Sequence, residues 1–422
     1  MRRFFSFFVF ILIINISNVP ANAESPKTIS ELIERALKRS DFIASLKIRI
    51  DVKMFAAAQA RAWQNPIVGL LAGQKRVFPA QGPLYEVSVT QPFIFPGKQN
   101  LHGEILDIES ELNKIRATEG EVALTHDVIR LAYAYRMNAN KKKFSKNRQK
   151  RFQLIQSYLK GNLFPSPEKQ AERHIVEARL TNLATEALQI EVSLARAYEQ
   201  LNLYVGLDAG ASPTFEVPWL QGTIKIDKKE WLKTVTTKNF DLAKGQLSVR
   251  ASLKEKELAE KKTLPDMGLS AFYREEKGNE SERAAGLGIS LPLPLFNQNG
   301  DGIQSAEKQL EAEEQLLRFS KRQLESQLKI LNQEFDIAQQ SVRHYPKATL
   351  ESLEQKLRQA ESEFRKGRVS LLTFLELDTE AAETNSRVLD AQSTLVDKFL
   401  SLLFLKGERN AATYFNSNGG IF

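Results

Sequence analysis

The stretch Ser290-Leu291-Pro292-Leu293-Pro294-Leu295-Phe296-Asn297-Gln298-Asn299-Gly300 decides the fold, because it separates two different periodicities. Before it, Leu287, Ile289 and Leu291 alternate with small or polar residues, which is the pattern of a half-buried strand. After it, apolar residues recur every three or four positions, as in a coiled-coil helix, and the next proline is Pro346. Proline fits such a crossing because it donates to neither a sheet ladder nor a helix.

The same crossing occurs once more, about 200 residues earlier. Thr90-Gln91-Pro92-Phe93 corresponds in order and pattern to Ser290-Leu291-Pro292-Leu293. We therefore predict that the crossings from strand to helix are marked by Pro92, Gly97, Pro292, Pro294 and Gly300. The mature chain, 24–422, is interpreted as one domain made of two repeats, about 24–215 and 216–422. Each repeat would contain a helix, two strands, a long helix, a turn and a second helix.

Each repeat contributes two predicted strands, 66–77 and 84–91 in the first and 267–276 and 284–291 in the second. Their lengths are close to the roughly 9–11 residues of a tilted transmembrane strand. Four strands cannot close a barrel, and an unclosed sheet in lipid would leave backbone groups unpaired at several kcal/mol each. If these strands enter a membrane, several copies of the chain must therefore assemble.

Two stretches, 97–160 and 303–366, predict helices that could each reach ~96 Å, the second interrupted only by Pro346. A coiled-coil seam is indicated by apolar residues seven positions apart, namely Leu310, Leu317, Leu324, Leu331 and Ala338. Each long helix then turns back at a glycine, and a serine is placed to cap the return helix. The predicted tip residues of these two hairpins are Gly161, Ser166, Gly367 and Ser370.

The first 23 residues have the features of a secretory signal peptide. Arg2 and Arg3 precede an apolar run, and Ala21-Asn22-Ala23 forms a small-residue cleavage site. The run is shorter than the roughly 20 residues that a membrane-spanning helix needs. We expect an exported chain that starts at Glu24. The sequence contains no cysteine, which excludes disulfides and thiolate chemistry.

The formal net charge is +8, and many basic residues cluster in 141–151. Export argues against nucleic acid as the partner of this positive charge. Two interpretations remain for the basic cluster. It is either a solvated helix face or a docking strip for an acidic partner surface.

The sequence predicts no catalytic, cofactor or metal site, and we expect the protein not to be an enzyme. The four histidines, His102, His126, His174 and His344, include no pair at a ligand spacing. His126 lies on the predicted helix seam, where a packed histidine is the expected state. The methionines do not cluster, so nothing indicates thioether binding of copper.

This layout resembles that of the TolC-type outer-membrane efflux family over essentially the whole mature chain. The segment 290–300 resembles the crossing of that family's heavy-metal branch, the outer components of Czc- and Cus-type pumps. The resemblance implies a fold that is mainly α with a transmembrane β part. In it, a homotrimer forms a twelve-stranded β-barrel in outer-membrane lipid, continued by a long coiled-coil helical barrel in the periplasm. The implied partners are a periplasmic adaptor (a membrane fusion protein) and an inner-membrane RND-type pump.

In this family the second periplasmic turn carries acidic residues that ring the closed mouth of the tunnel. Following Gly367, these positions correspond to Thr373 and Glu376, of which only Glu376 is acidic. A ring with one carboxylate per chain could still select cations, because ring charges set the preference of a channel. Alternatively, Glu376 is an ordinary solvated helix residue.

The function that the resemblance implies is a passive outer-membrane channel of a tripartite efflux pump, exporting heavy-metal cations. Drug efflux and type I secretion by the same fold are alternatives. A different class, a periplasmic coiled-coil adaptor that never enters the membrane, should show one hairpin flanked by small β-domains. An enzyme with a coiled-coil domain has no polar cluster at a mechanistic spacing to support it.

Overall fold

The computed structural model describes residues 28–77, 80–161, 166–207, 215–220, 227–277 and 280–415. The predicted signal peptide, 1–23, lies outside the described residues. The first half contains α1 Ile29–Arg39, α2 Asp41–Arg61, β1 Ile67–Val77, β2 Ala80–Phe93, α3 Lys98–Lys160 and α4 Pro167–Val205. The second half contains α5 Lys228–Lys238, α6 Phe240–Lys261, β3 Met267–Lys277, β4 Ser281–Ser290, α7 Gly300–His344, α8 Ala348–Arg365, α9 Leu371–Lys406 and a 3₁₀ turn at Ala411–Phe415.

Both halves have the same order of elements, but each opens with two helices rather than the single helix predicted. Ser40 separates α1 from α2, and its hydroxyl accepts a hydrogen bond from the Ile43 amide at 3.2 Å. Asn239 separates α5 from α6 in the same way and accepts from the amides of Asp241 and Leu242 at 2.9 and 3.1 Å. Each side chain caps the second helix of its pair, which stabilises the break.

The four strands form one antiparallel sheet in the order β1-β2-β3-β4. Pairing of β2 with β3, from Leu84 opposite Glu276 to Phe93 opposite Met267, joins the two halves of the chain. β2 begins at Ala80, earlier than predicted, and includes Pro83. Pro83 lies opposite Gln74 of β1, whereas pairing with β3 begins only at Leu84. The proline therefore has a strand on one side only, where its missing N–H is tolerated.

The helices form long hairpins, as predicted. α3 is continuous over 63 residues, a length of ~95 Å. Its counterpart in the second half is broken at Tyr345-Pro346-Lys347 into α7 and α8, because proline cannot continue the hydrogen bonding of the helix. No helix in the described part of the chain is long and apolar enough to cross a membrane.

Two apolar cores hold the helices together. The larger lies in the middle of the helical part and combines α1, α3, α4, α7 and α9, with the ring of Phe335 stacked on that of Phe399. The smaller lies towards the hairpin turns, where Phe152, Phe364 and Phe374 pack against one another. This second core contains residues of α3, α4, α8 and α9, so both hairpins turn at the same end of the molecule.

Candidate functional site

One face of the sheet, here called the apolar face, is covered by hydrophobic side chains, most of them large, that nothing in the described part of the chain buries. The strand register places its members in rows, among them Val68, Val89, Ala271 and Leu287, then Leu70, Val87, Tyr273 and Ala285. Leu70 and Leu287 are 79% and 81% exposed. A continuous exposed apolar surface of this kind indicates contact with lipid or with another apolar surface.

The opposite face, here called the polar face, is lined mainly by glycine, serine and threonine. Its central rows are Gly69, Ser88, Phe272 and Gly286, then Ile67, Thr90, Ser270 and Gly288. The Ser270 hydroxyl donates to the Gly288 carbonyl oxygen at 3.2 Å, so the serine side chain lies along the sheet. Phe272 lies over Gly286, where a Cβ would be 2.8 Å from its ring. The side chains of the polar face therefore project little from the sheet, which leaves open space in front of it.

The two edge strands complete the geometry of the sheet. Among the described strands, β1 and β4 each have a neighbour on one side only, and they are 11 and 10 residues long. A long exposed edge presents unpaired backbone groups and is a template for pairing with another chain. With a lipid-compatible face and two open edges, the sheet has the properties of one segment of a larger closed structure.

The predicted crossing residues lie together at one end of the sheet. Pro92 is still within β2, opposite Gly268, while Pro292 and Pro294 follow the end of β4. Gly97 precedes α3 with a φ of +93°, a conformation that glycine adopts without strain. Gly300 is the first residue of α7.

Lys98 links the first crossing to the segment that directly precedes β3. Its ammonium donates to the Asp266 carboxylate at 2.8 Å and to the Leu264 carbonyl oxygen at 2.6 Å. The Phe95 amide also donates to Asp266, at 2.7 Å. Through these contacts the two halves of the chain are held together where the strands meet the helices.

The predicted tip residues lie at the opposite end of the helices. Ser166 caps α4 by accepting from the Lys169 amide at 3.3 Å, and Ser370 caps α9 by accepting from the Thr373 amide at 3.2 Å. Gly161 directly follows α3, and Gly367 has a φ of +74°. Residues 162–165 of the first turn lie outside the described residues.

Thr373 and Glu376 lie in the first two turns of α9, and both are exposed. The Thr373 hydroxyl lies 3.0 Å from that of Ser370. Among the described residues, no ion pair involves Glu376. Its carboxylate therefore stands in solvent beside the second hairpin turn.

A buried ion-pair network just behind the tip was missed by sequence reasoning. Asp378 is fully buried, and Arg148 of α3 donates to its carboxylate from Nε and Nη2 at 2.8 and 2.7 Å. Arg148 also contacts Glu186 of α4 at 3.0 Å. Nη1 of Arg151 donates to Glu354 of α8 at 2.9 Å. The network thus ties α3 to α4, α8 and α9.

This network corrects the interpretation of the basic cluster 141–151. Arg148 and Arg151 are only 4% exposed, so for them both a solvated face and a docking strip are wrong. Their spacing is the signal that could have revealed this. Arg151 directly precedes buried Phe152, and Arg148 lies three residues before Arg151, on the face of α3 that packs against the other helices. Lys143, Lys146 and Lys150 are exposed, as a solvated face requires.

His126 is a packed histidine rather than an exposed one. It is 1% exposed, and its ring lies 5.9 Å from that of Phe404. It borders a cavity of about 550 Å³ between α3, α7 and α9, also lined by Arg130, Ile330 and Ser401. Burial, together with the nearby Arg130 charge, lowers the pKa of His126 to about 4. In the described part of the chain, no group of three or more His, Cys, Asp or Glu residues could hold a metal ion.

Comparison with known proteins agrees with this geometry. Residues 231–408 match the family of outer membrane efflux proteins. This match covers most of the second half of the chain, from α5 to the end of α9. Among curated proteins, none matches the chain.

Solved structures extend the likeness to nearly the whole chain. The outer membrane protein VceC from Vibrio cholerae is 15% identical, with a TM-score of 0.68 over 90% of this chain and 96% of that chain. The outer-membrane channel OprN is 15% identical, with a TM-score of 0.72 over 90% and 89%. CusC, a protein that forms a transmembrane channel, is 13% identical, with a TM-score of 0.66 over 92% and 95%. At these identities the likeness shows the fold, which is that of outer-membrane channels.

The buried network predicts unequal effects of two acidic positions that are two residues apart on α9. We expect Asp378→Ala to lower the free energy of unfolding by roughly 3–5 kcal/mol, because Arg148 would remain buried and lose its buried partner, keeping only the half-exposed Glu186. Glu376→Ala, at an exposed position, should change stability little. Thermal denaturation followed by circular dichroism measures both. Equal losses in the two variants would contradict the importance of the buried pair.

His126 predicts a pH dependence of stability. The folded chain resists protonation of this ring until about pH 4, whereas an unfolded histidine titrates near 6.5. Between these values the unfolded state binds more protons, so the free energy of unfolding falls as the pH falls, by about 2 kcal/mol at pH 5. We expect His126→Phe to remove this contribution, because phenylalanine does not titrate. The substitution keeps a ring packed against Phe404. Melting temperatures at pH 7 and pH 5 test this.

The matched control is His102→Phe, because His102 is exposed on the same helix. It should retain the difference in melting temperature seen with the unchanged protein. A His126→Phe variant that behaves like the control would show that the buried ring is not the source.

Proposed function

We propose that the protein is the passive outer-membrane channel of a tripartite efflux pump. The observation that carries this proposal is the four-stranded sheet. It has an exposed apolar face, a polar face with mostly small side chains, and two open edges. In lipid, such a sheet is stable only if its edges are closed by further copies of the chain. Three copies would supply the twelve strands that the family resemblance implies, with the polar face lining the lumen.

The helical part would lie in the periplasm and continue the lumen. All helical hairpins leave the sheet at one end and turn at the other, and α3 alone reaches ~95 Å. The chain would act by geometry alone, giving cargo a water-filled path while the inner-membrane pump supplies the energy. This role agrees with the match of residues 231–408 to outer membrane efflux proteins.

The tip of the helical part is proposed as the gated end and the contact with the adaptor. Gly161, Ser166, Gly367 and Ser370 shape the two turns that would meet a periplasmic adaptor. Glu376 would contribute one carboxylate per chain to a ring at the tunnel mouth, with Thr373 in the second ring position. The exposed, unpaired carboxylate of Glu376 supports this assignment, because a ring charge acts only where it faces the water of the pore.

Heavy-metal cations are the proposed cargo. The support is the resemblance of residues 290–300 to the crossing of the heavy-metal branch, together with the suitability of a carboxylate ring for cations. Drug efflux and type I secretion use the same architecture and are the alternatives. The proposal includes export by the signal peptide 1–23 and a single mature domain of two repeats.

A periplasmic adaptor, the alternative from another class, is not favoured by any observation. It would be expected to contain one hairpin flanked by small β-domains. This chain has two hairpins and one sheet whose apolar face nothing within the described residues covers.

Neighbouring alanines on opposite faces of β4 test the membrane placement. The register puts Ala285 on the apolar face and Ala284 on the polar face. An arginine facing lipid costs up to roughly 2–4 kcal/mol near the bilayer midplane, whereas an arginine facing the lumen is tolerated. We expect Ala285→Arg to deplete heat-resistant trimers from the outer-membrane fraction and Ala284→Arg to leave them in place.

Gel mobility in SDS with and without boiling measures the trimers in each membrane fraction. A soluble periplasmic monomer for the unchanged chain would reject the channel. Equal behaviour of the two arginine variants would reject the assignment of the faces.

Cargo is tested by deleting the gene and complementing it with the unchanged chain. We expect the deletion to lower tolerance to one or more of cobalt, zinc, cadmium, copper and silver salts, and complementation to restore it, because cargo would lose its exit. Growth across a dilution series of each salt, and of a panel of drugs, measures this. Unchanged metal tolerance combined with lost drug tolerance would reject metal cations in favour of drugs.

A further inference from the structure

The polar face of the sheet carries five charged side chains, and all of them lie in the half of the sheet nearer the hairpin turns. They are Lys75 on β1, Glu86 on β2, Arg274 and Glu276 on β3 and Glu282 on β4, here called the charged belt. The register puts Glu86 opposite Arg274 and Glu276 opposite Glu282. Within the four described strands, no other charged residue lies on this face, so the charge is confined to that half of the sheet.

Ion pairs fix most of the belt in place. Nε and Nη2 of Arg274 donate to the Glu86 carboxylate at 2.9 and 2.6 Å. Lys75 lies opposite Gly82, which has no side chain, and its ammonium reaches across β2 to Glu276 on β3. These contacts hold four of the five charged groups against the sheet.

Glu282 is the least compensated member of the belt. It is 74% exposed, and its nearest cation is the Lys75 ammonium at 3.5 Å, which also serves Glu276. Two cations face three carboxylates, which leaves one negative charge per chain on the polar face. The excess charge is best assigned to Glu282 because the other two carboxylates have closer partners.

The apolar face at the same level differs in its charge balance. Glu275 lies opposite Arg283, and their charged groups are 3.7 Å apart. Arg76 and Lys277 also lie on this face, so three cations there outnumber one carboxylate. The negative excess is thus confined to the polar face, whereas the apolar face carries an excess of positive charge.

We propose that the charged belt is a cation-preferring ring at the outer mouth of the channel and that Glu282 sets its preference. The inference rests on the proposed function, in which the polar face lines the lumen and the hairpin end faces outward. Every copy in the assembly would bring one excess negative charge to the same level. Such a ring raises the local concentration of small hydrated cations and lowers that of anions. It would lie at the end of the path opposite Glu376.

The experiment measures ion selectivity of purified trimers in planar bilayers of neutral lipid. The reversal potential under a potassium chloride gradient gives the permeability ratio of K⁺ to Cl⁻. We expect Glu282→Gln to lower this ratio about threefold, as for one charge per chain acting over about 10 Å in screened water. Glu282→Lys should turn the preference towards chloride.

Glu275→Gln is the matched control, since it also removes a carboxylate at the hairpin end of the sheet but on the other face. It should leave the ratio unchanged. If the belt served only to stiffen the strand ends, neither Glu282 variant would move the reversal potential. Glu282 is exposed and outside the tight pairs, so its variants should assemble. Should they not assemble, Lys75→Gln must raise the preference for K⁺.

The outcomes separate this inference from the proposed function. If the unchanged chain forms no conducting trimers, the channel fails and the ring fails with it. If it conducts with a preference for K⁺ that Glu376→Gln lowers and both Glu282 variants leave intact, the channel stands and the belt is not selective.

Discussion

The hydrogen bonding of two sheet edges is the constraint on which the rest of the structure depends. β1 and β4 carry rows of backbone hydrogen-bonding groups on their outer sides. These rows border an apolar face whose exposure to water is unfavourable. In lipid, each unpaired group would cost several kcal/mol, far more than side-chain contacts could offset over a whole strand. In lipid, one chain would therefore be only a fraction of a stable structure. In the proposed function, further copies of the same chain complete it.

The helical part meets a different demand, because long helices in water must remain associated along their whole length. It does so with two separate apolar cores rather than one, the larger in the middle and the smaller near the turns. Arginine and aspartate then join the helices between the smaller core and the middle, where Arg148 and Asp378 exclude water from their contact. A buried pair of this kind contributes geometric specificity more than net stability, because desolvation offsets much of its attraction.

Local pattern predicted most of the fold, since each element follows a clear periodicity. The alternation in 284–291, the heptads after Ile303 and the break at Pro346 each have a direct structural counterpart. What the sequence could not show arises from tertiary contacts. Arg148 and Arg151 look like part of a solvated basic run until Asp378 and Glu354 approach from other helices. Of the candidate site residues, the positions of the turn and crossing residues follow from pattern, whereas the gate role of Glu376 depends on neighbouring copies and stays a prediction.

The pairing of β2 with β3 has a consequence for how the molecule forms. Phe93 and Met267 are partners although about 170 residues separate them in the chain, and α3 and α4 lie between. Closing so long a loop is slow compared with forming local helices. The first hairpin must therefore wait, with the backbone groups on one edge of β2 unpaired, until the second arrives. During that interval the unpaired edge is a template for aggregation.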